Sequence, residues 1–125
     1  KYREGSLTQQ SNFSPSDKPI VLLINEQSLS DAEMTAQGFK ALKLGTIIGN
    51  ETYRWIIFTS GVGLVDGSSV RMPGWGCYSL DGKDLEMSGV QPDIKIINSF
   101  EDKINGRDPQ VDKAVDEILK QLGKK

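Results

Sequence analysis

Ser30 is the residue of this sequence best placed to do chemistry. It follows an apolar run, Ile20 to Ile24 (IVLLI), and a short turn-like segment, Asn25 to Leu29. After it, the apolar and small residues Ala32, Ala36, Phe39 and Leu42 recur near helical spacing. A hydroxyl where a buried strand gives way to a helix is projected from the backbone, and the first free amides of the helix point back toward it. The N–H of Asp31 is therefore placed to donate to an oxyanion forming beside the Ser30 oxygen, as acyl transfer requires. The same residues, Ser30-Asp31-Ala32-Glu33, also fit the S-x-x-E capping box, in which serine and glutamate only satisfy orphan helix amides. A phosphate or acyl ligand could use the same helix end. Spacing alone leaves all three readings open.

The remaining candidates are weaker. The sequence contains no histidine, so no residue in it supplies the usual base for a serine hydroxyl. Arginine stays protonated and cannot substitute, and no lysine lies between Lys43 and Lys83. Cys77 is the single cysteine, which removes an internal disulfide and a thiolate cluster and leaves a structural small residue. Without histidine a zinc site is disfavoured, and no metal or cofactor is expected. Gly61 and Gly63 lack the third glycine and the following helix of a dinucleotide fingerprint. Asp93, after Pro92, reads as a turn or capping acid. Arg54 and Trp55 could line a cleft, but Trp55-Ile56-Ile57-Phe58 has the composition of a buried strand, and core is the expectation.

The scaffold around Ser30 is legible from patterning. Lys1 to Lys18 is polar and closes with Ser14, Pro15, Ser16 and Asp17, a surface connection. Ile20 to Ile24 reads as a strand covered on both faces in a parallel sheet. A helix spans Asp31 to Leu44, with Ser30 as its cap and Gly45 at its stop, and Thr46 to Ile48 forms a second strand. This βαβ unit is right-handed almost without exception. Glu51 to Leu80 is punctuated by glycine and reads as hairpins and loops, with β-favouring stretches at Trp55 to Phe58 and Val62 to Val65. Asp81-Gly82 is a turn signal, Leu85 to Val90 a loop, and Ile94 to Ile97 the last strand. Asp108 caps and Pro109 opens a final helix with apolar face Val111, Ala114, Val115, Ile118 and Leu122. The fold class is α/β, a βαβ-containing sheet with flanking helices, with residues 1–18 as connecting segment and 19–125 as core.

The run IVLLINEQSLSDAEMTAQGFKALKLGTIIG resembles the nucleophile segment of tricorn-like, or tail-specific, serine proteases: apolar strand, Asn-Glu, Ser-Asp, an acidic residue two later, then Leu-Gly before the next strand. Leu64-Val65-Asp66-Gly67, GWGCYSLDGKDLEMSGVQPDI and NGRDPQVDKAVDEIL are similar in order and spacing to the stretch after the nucleophile in that family. The resemblance implies a ClpP/crotonase-like core and peptide-bond hydrolysis through an acyl-enzyme. It puts the nucleophile on Ser30, the oxyanion donor on the Asp31 amide, and an orienting glutamate on Glu86. It also implies a histidine and a second oxyanion amide from an upstream part of the same polypeptide, so these residues form the C-terminal portion of a catalytic domain and are inactive alone. A branch of the wider family uses a lysine about two dozen residues after the serine, where this sequence has Arg54 and Trp55. Relatives assemble into rings and occur in the cytoplasm and beyond a bacterial inner membrane, so a homo-oligomer and either compartment are compatible with the resemblance. The alternative is a non-catalytic peptide-binding or assembly module of the same fold.

At 125 residues the chain is one domain or part of one. Its formal net charge of −2, with the signs interspersed, marks neither a nucleic acid nor an anionic membrane as partner. No apolar run approaches the roughly 20 residues that cross a bilayer, and KYREGSLTQQ lacks the apolar centre of a secretory signal. Peptide or unfolded protein remains the expected substrate class.

Overall fold

A computed structural model describes residues 18–123. The polar connection expected over residues 1–18 therefore lies, apart from Lys18, outside the described residues. The fold is mixed α/β. A parallel sheet is formed by β1 (Val21–Ile24), β2 (Thr46–Gly49) and β5 (Ile94–Lys95), with β2 in the centre. The antiparallel pair β3 (Phe58–Gly63) and β4 (Ser69–Trp75) stands as a separate hairpin. Helices α1 (Asp31–Ala41), α2 (Phe100–Ile104) and α3 (Pro109–Gln121) complete the chain.

The centre of the sheet dictates where the core sits. In β2 the neighbours Ile47 and Ile48 point to opposite faces by the strand pleat, and both are fully buried. Ile47 joins Ile24, Ala36, Phe39 and Val90 in one cluster, with Ile20, Leu22 and Leu44 packed against it. Helix α3 also packs against β1 and β2. Strand β1, which pairs with β2 alone among the described residues, is less enclosed than the sequence suggests: Ile24 is buried, but Leu23 is exposed. Asp93 has the structural task expected of it. Its N–H donates to the Ile47 carbonyl at 2.8 Å and its Oδ2 accepts from the Ile47 N–H at 2.9 Å, which locks the start of β5 onto β2.

Two glycines are required by close approach. Gly49 has φ +137°, and a Cβ there would lie 1.8 Å from the Ile24 carbonyl oxygen; at Gly45 the Ile20 carbonyl oxygen would be 2.1 Å away. Gly45 is thus not the helix stop that its position suggests. The left-handed residue ending α1 is Lys43 (φ 53°), with its N–H on the Lys40 carbonyl and the Leu44 N–H on that of Phe39. Helix α1 therefore ends at Ala41, before the expected Leu44.

Sequence patterning also misses α2, a five-residue helix with no buried side chain. It places the first β-favouring stretch three residues early: β3 begins at Phe58, not Trp55. The last strand is cut to Ile94–Lys95, because past Ile96 the chain turns to meet α3. Gln110 Nε2 donates to the Ile96 carbonyl at 2.8 Å, and Asn98 Nδ2 to Asp108 Oδ1 at 2.8 Å. Asp108 caps α3 as expected, accepting from the Val111 N–H.

Gly49→Ala should cost about 3 kcal/mol or more in a urea denaturation of this chain, from left-handed strain added to backbone overlap. Gly38→Ala, inside α1 with open space at the Cβ position, should instead stabilise by up to about 1 kcal/mol. Equal effects at the two positions would contradict the close-approach account.

Acid should weaken the C-terminal elements. The Ser99 hydroxyl, the Ser99 N–H and Arg107 hold the Asp102 carboxyl below its ordinary range, and Asn98 with the Val111 N–H does the same for Asp108. These groups bind fewer protons folded than unfolded. Their contribution is present above the unfolded value of about 3.9 and is lost as pH falls through the folded one. The urea midpoint should begin to drop below about pH 5 and go on dropping below about pH 4, and Asp108→Asn, which keeps a capping acceptor, should flatten part of that drop.

Candidate active site at the turn into the first helix

The turn before α1 is built by its own side chains. Asn25 Oδ1 accepts from the Gln27 N–H at 2.9 Å, Ser28 Oγ from the Asn25 N–H at 3.1 Å, and the Asn25 carbonyl from the Ser28 N–H at 2.9 Å. The chain then reverses at Ser30, which has φ 56° and ψ −115°. Those angles suit glycine at the first corner of a type II′ turn, and a residue with a Cβ is strained there by about 1–3 kcal/mol.

Ser30 and Glu33 face each other as in a capping box, but only one half is made as a hydrogen bond. The Ser30 N–H donates to Glu33 Oε2 at 3.1 Å. The Ser30 hydroxyl makes no cap hydrogen bond, and the Glu33 N–H goes instead to the Ser30 carbonyl at 2.9 Å. Ser30 thus occupies the N-cap with its side chain half-buried and opposite the Glu33 N–H, but without a cap hydrogen bond from its hydroxyl. The amides of Ala32, Glu33 and Met34 are all committed to carbonyls of Leu29 and Ser30. Among the described residues the Asp31 N–H donates to none, as befits the first position of a helix.

Glu33 is the member of this site whose role the sequence conceals. An acid in a first helical turn normally faces water, yet this one is fully buried. Its carboxylate accepts four hydrogen bonds: Oε1 from Thr52 Oγ1 and the Arg54 N–H, both at 2.7 Å, and Oε2 from the Ser30 N–H at 3.1 Å and the Trp55 N–H at 2.8 Å. Thr52 Oγ1 in turn accepts from the Val90 N–H at 2.8 Å. One carboxylate thus joins the serine turn to residues 52–55 and, through Thr52, to the segment preceding β5. The only sequence signal was the acidic residue itself, three positions after the serine.

The same network corrects the reading of Trp55. Successive amides of Thr52, Tyr53, Arg54 and Trp55 donate to the Val90 carbonyl, the Ser28 carbonyl and the two Glu33 oxygens. They are not free to enter a strand ladder. Ile56 turns inward and is buried, whereas Trp55 is 53% exposed and stacks on Tyr53. Arg54 is held at φ 74°, and its guanidinium grips the Glu51 carboxylate with Nε on Oε1 at 2.9 Å and Nη2 on Oε2 at 2.5 Å. That contact holds the Glu51 carboxyl below the usual carboxylate range.

Glu86 lies on an exposed turn, with its N–H on Asp84 Oδ1 at 2.9 Å and Met87 following at φ 61°. Its carboxylate makes no hydrogen bond or ion pair among the described residues, with Ser30 or otherwise. Cys77 is a free thiol, and burial pushes its proton affinity up, which suits a packing residue and not a nucleophile. No cluster of three or more potential ligands for a metal occurs among the described residues.

A parallel strand, a turn beyond its carboxyl end and a strained serine at the start of the following helix define the site within an α/β domain. The chain belongs to peptidase family S41, whose model matches residues 1–96. A tricorn-like protease C-terminal subunit of Sulfurisphaera tokodaii is 38% identical over 118 residues, 90% of this chain and 14% of that protein. The tricorn protease of Thermoplasma acidophilum is 33% identical over 122 residues, 96% of this chain and 11% of that protein. A crystal structure of the tricorn protease superposes with a TM-score of 0.78 at 31% identity, covering 85% of this chain and 11% of that one. The chain thus spans a small part of the length of these relatives. The resemblance read from the sequence is the family found by comparison.

Two substitutions test the local geometry. Ser30→Gly should raise stability by about 1 kcal/mol, since the strain disappears and no cap bond is lost. Glu33→Gln should lower it by about 2–3 kcal/mol, because the amide NH2 must face an N–H or a hydroxyl donor wherever it points. Both are read from urea midpoints of this chain. A loss of stability in Ser30→Gly would remove the strain argument.

Proposed function

We propose that the chain is the nucleophile-bearing C-terminal portion of the catalytic domain of a serine-type peptidase. Ser30 Oγ attacks a peptide carbonyl carbon, and its proton passes to a histidine supplied by an upstream part of the same polypeptide. The Asp31 N–H, with a second amide from that upstream part, holds the negative oxygen of the tetrahedral intermediate. The C–N bond then breaks as the proton goes to the leaving amine. Water releases the acyl group from Ser30 by the reverse sequence. Glu86 orients the catalytic network, a role that rests on the family resemblance.

The observation that carries this reading is the unspent hydroxyl of a serine held in a conformation that glycine would occupy more easily. A serine kept at such a cost, with no cap hydrogen bond from its hydroxyl, supports a role for that oxygen in chemistry. Membership of family S41 and the kinship to tricorn-type proteases support the same reading.

A fluorophosphonate probe should label the full-length polypeptide at Ser30, and Ser30→Ala should abolish labelling and lower peptidase activity by several orders of magnitude. The isolated 125-residue chain, having no histidine, should remain unlabelled. Labelling of the full-length protein at another serine would sink the assignment.

A further inference from the structure

Resting on that reading of Ser30, we infer that Tyr53 and Trp55 form a substrate subsite that takes a large apolar or aromatic side chain of the peptide beside the scissile bond.

Their exposure is imposed by the backbone. Tyr53 and Trp55 are 51% and 53% exposed, while their chain neighbours Thr52 and Ile56 are buried. Three exposed residues, Tyr53 to Trp55, thus lie between two buried anchors, and every amide from 52 to 55 is held by a hydrogen bond to another segment. The rings stack with centroids 5.8 Å apart and planes 25° apart, a preorganised apolar surface that loses little freedom on binding.

Their position ties them to the serine. The Tyr53 N–H donates to the Ser28 carbonyl at 2.9 Å, two residues before Ser30. The Trp55 and Ser30 amides converge on the same oxygen of Glu33, at 2.8 and 3.1 Å. The backbone that carries both rings is therefore anchored directly to the serine turn. The charge beside them does not favour a cationic side chain, because Glu51, the acid of the loop, is already engaged by Arg54. Burial of a large side chain against two rings is the contribution that remains, and such aromatic anchors dominate recognition energetics.

The test uses the full-length polypeptide and peptide pairs that differ at one residue flanking the cleaved bond: phenylalanine, alanine or lysine. The wild type should favour phenylalanine over alanine by about 10- to 100-fold in kcat/KM, the range that one well-filled apolar pocket gives. Trp55→Ala and Tyr53→Ala should each shrink that ratio, whereas Trp55→Phe should retain most of it. An unchanged ratio in both alanine variants, in protein whose Ser30 still reacts with the fluorophosphonate, overturns the subsite and leaves the nucleophile standing. A preference for lysine that survives both variants also overturns it. A lower melting temperature with an unchanged ratio overturns it as well, and would show that the rings are covered by another part of the polypeptide. Failure of Ser30 itself to react removes the peptidase reading and the subsite with it.

Discussion

A single buried carboxylate holds the candidate site together. Glu33 removes a charge from water, which is costly unless every acceptor position is filled. Here two donors meet each oxygen, and they come from two stretches of chain: the serine turn, and residues 52–55 through the Thr52 hydroxyl and the amides of Arg54 and Trp55. No neutral side chain of similar size offers four acceptor sites and no donor. The parallel sheet brings these stretches close, and the carboxylate, together with the Tyr53 N–H on the Ser28 carbonyl, fixes their relative positions.

That clamp explains how strain can persist at two non-glycine residues. Ser30 at φ 56° and Arg54 at φ 74° both donate their own N–H to Glu33. Each strained conformation is thus directly compensated by a charge-assisted hydrogen bond at the residue that bears it. The arrangement is also directional. With the Glu33 amide turned to the Ser30 carbonyl and the carboxylate turned to the Ser30 amide, the backbone of the serine is spoken for on both sides. Its hydroxyl, by contrast, makes no cap hydrogen bond.

The scaffold was legible because it is made of periodic burial. The apolar run before Ser30, the spaced residues of α1, the short β2 and the Asp108-Pro109 start of α3 all announce themselves, and the structure places them within a few residues. Contacts between distant segments were not legible. Glu33 reads as a solvated first-turn acid, since nothing local reveals four donors arriving from 30, 52, 54 and 55. Trp55 reads as core because aromatic and β-branched residues surround it; its exposure follows from where the loop amides are drawn. Gly45 reads as a helix stop, while its true constraint, the Ile20 carbonyl, lies beside another strand. The nucleophile assignment itself came from resemblance, because spacing could not separate a capping serine from a reactive one.

The separation between what is local and what is distant also tracks the chemistry. Presenting a hydroxyl and an oxyanion amide demands rigidity within a few residues, and a strand, a turn and a helix start supply it from contiguous chain. Proton transfer demands a group of suitable acidity within hydrogen-bond reach, and that group can come from any segment the fold brings near. On the reading of Ser30 as nucleophile, these residues contain the hydroxyl and its adjacent amide but lack the proton acceptor, since no histidine is among them. On that same reading, the serine would await its base from the remainder of the polypeptide. Reactivity would then depend on correct assembly, since the backbone strain at Ser30 is already in place within these residues.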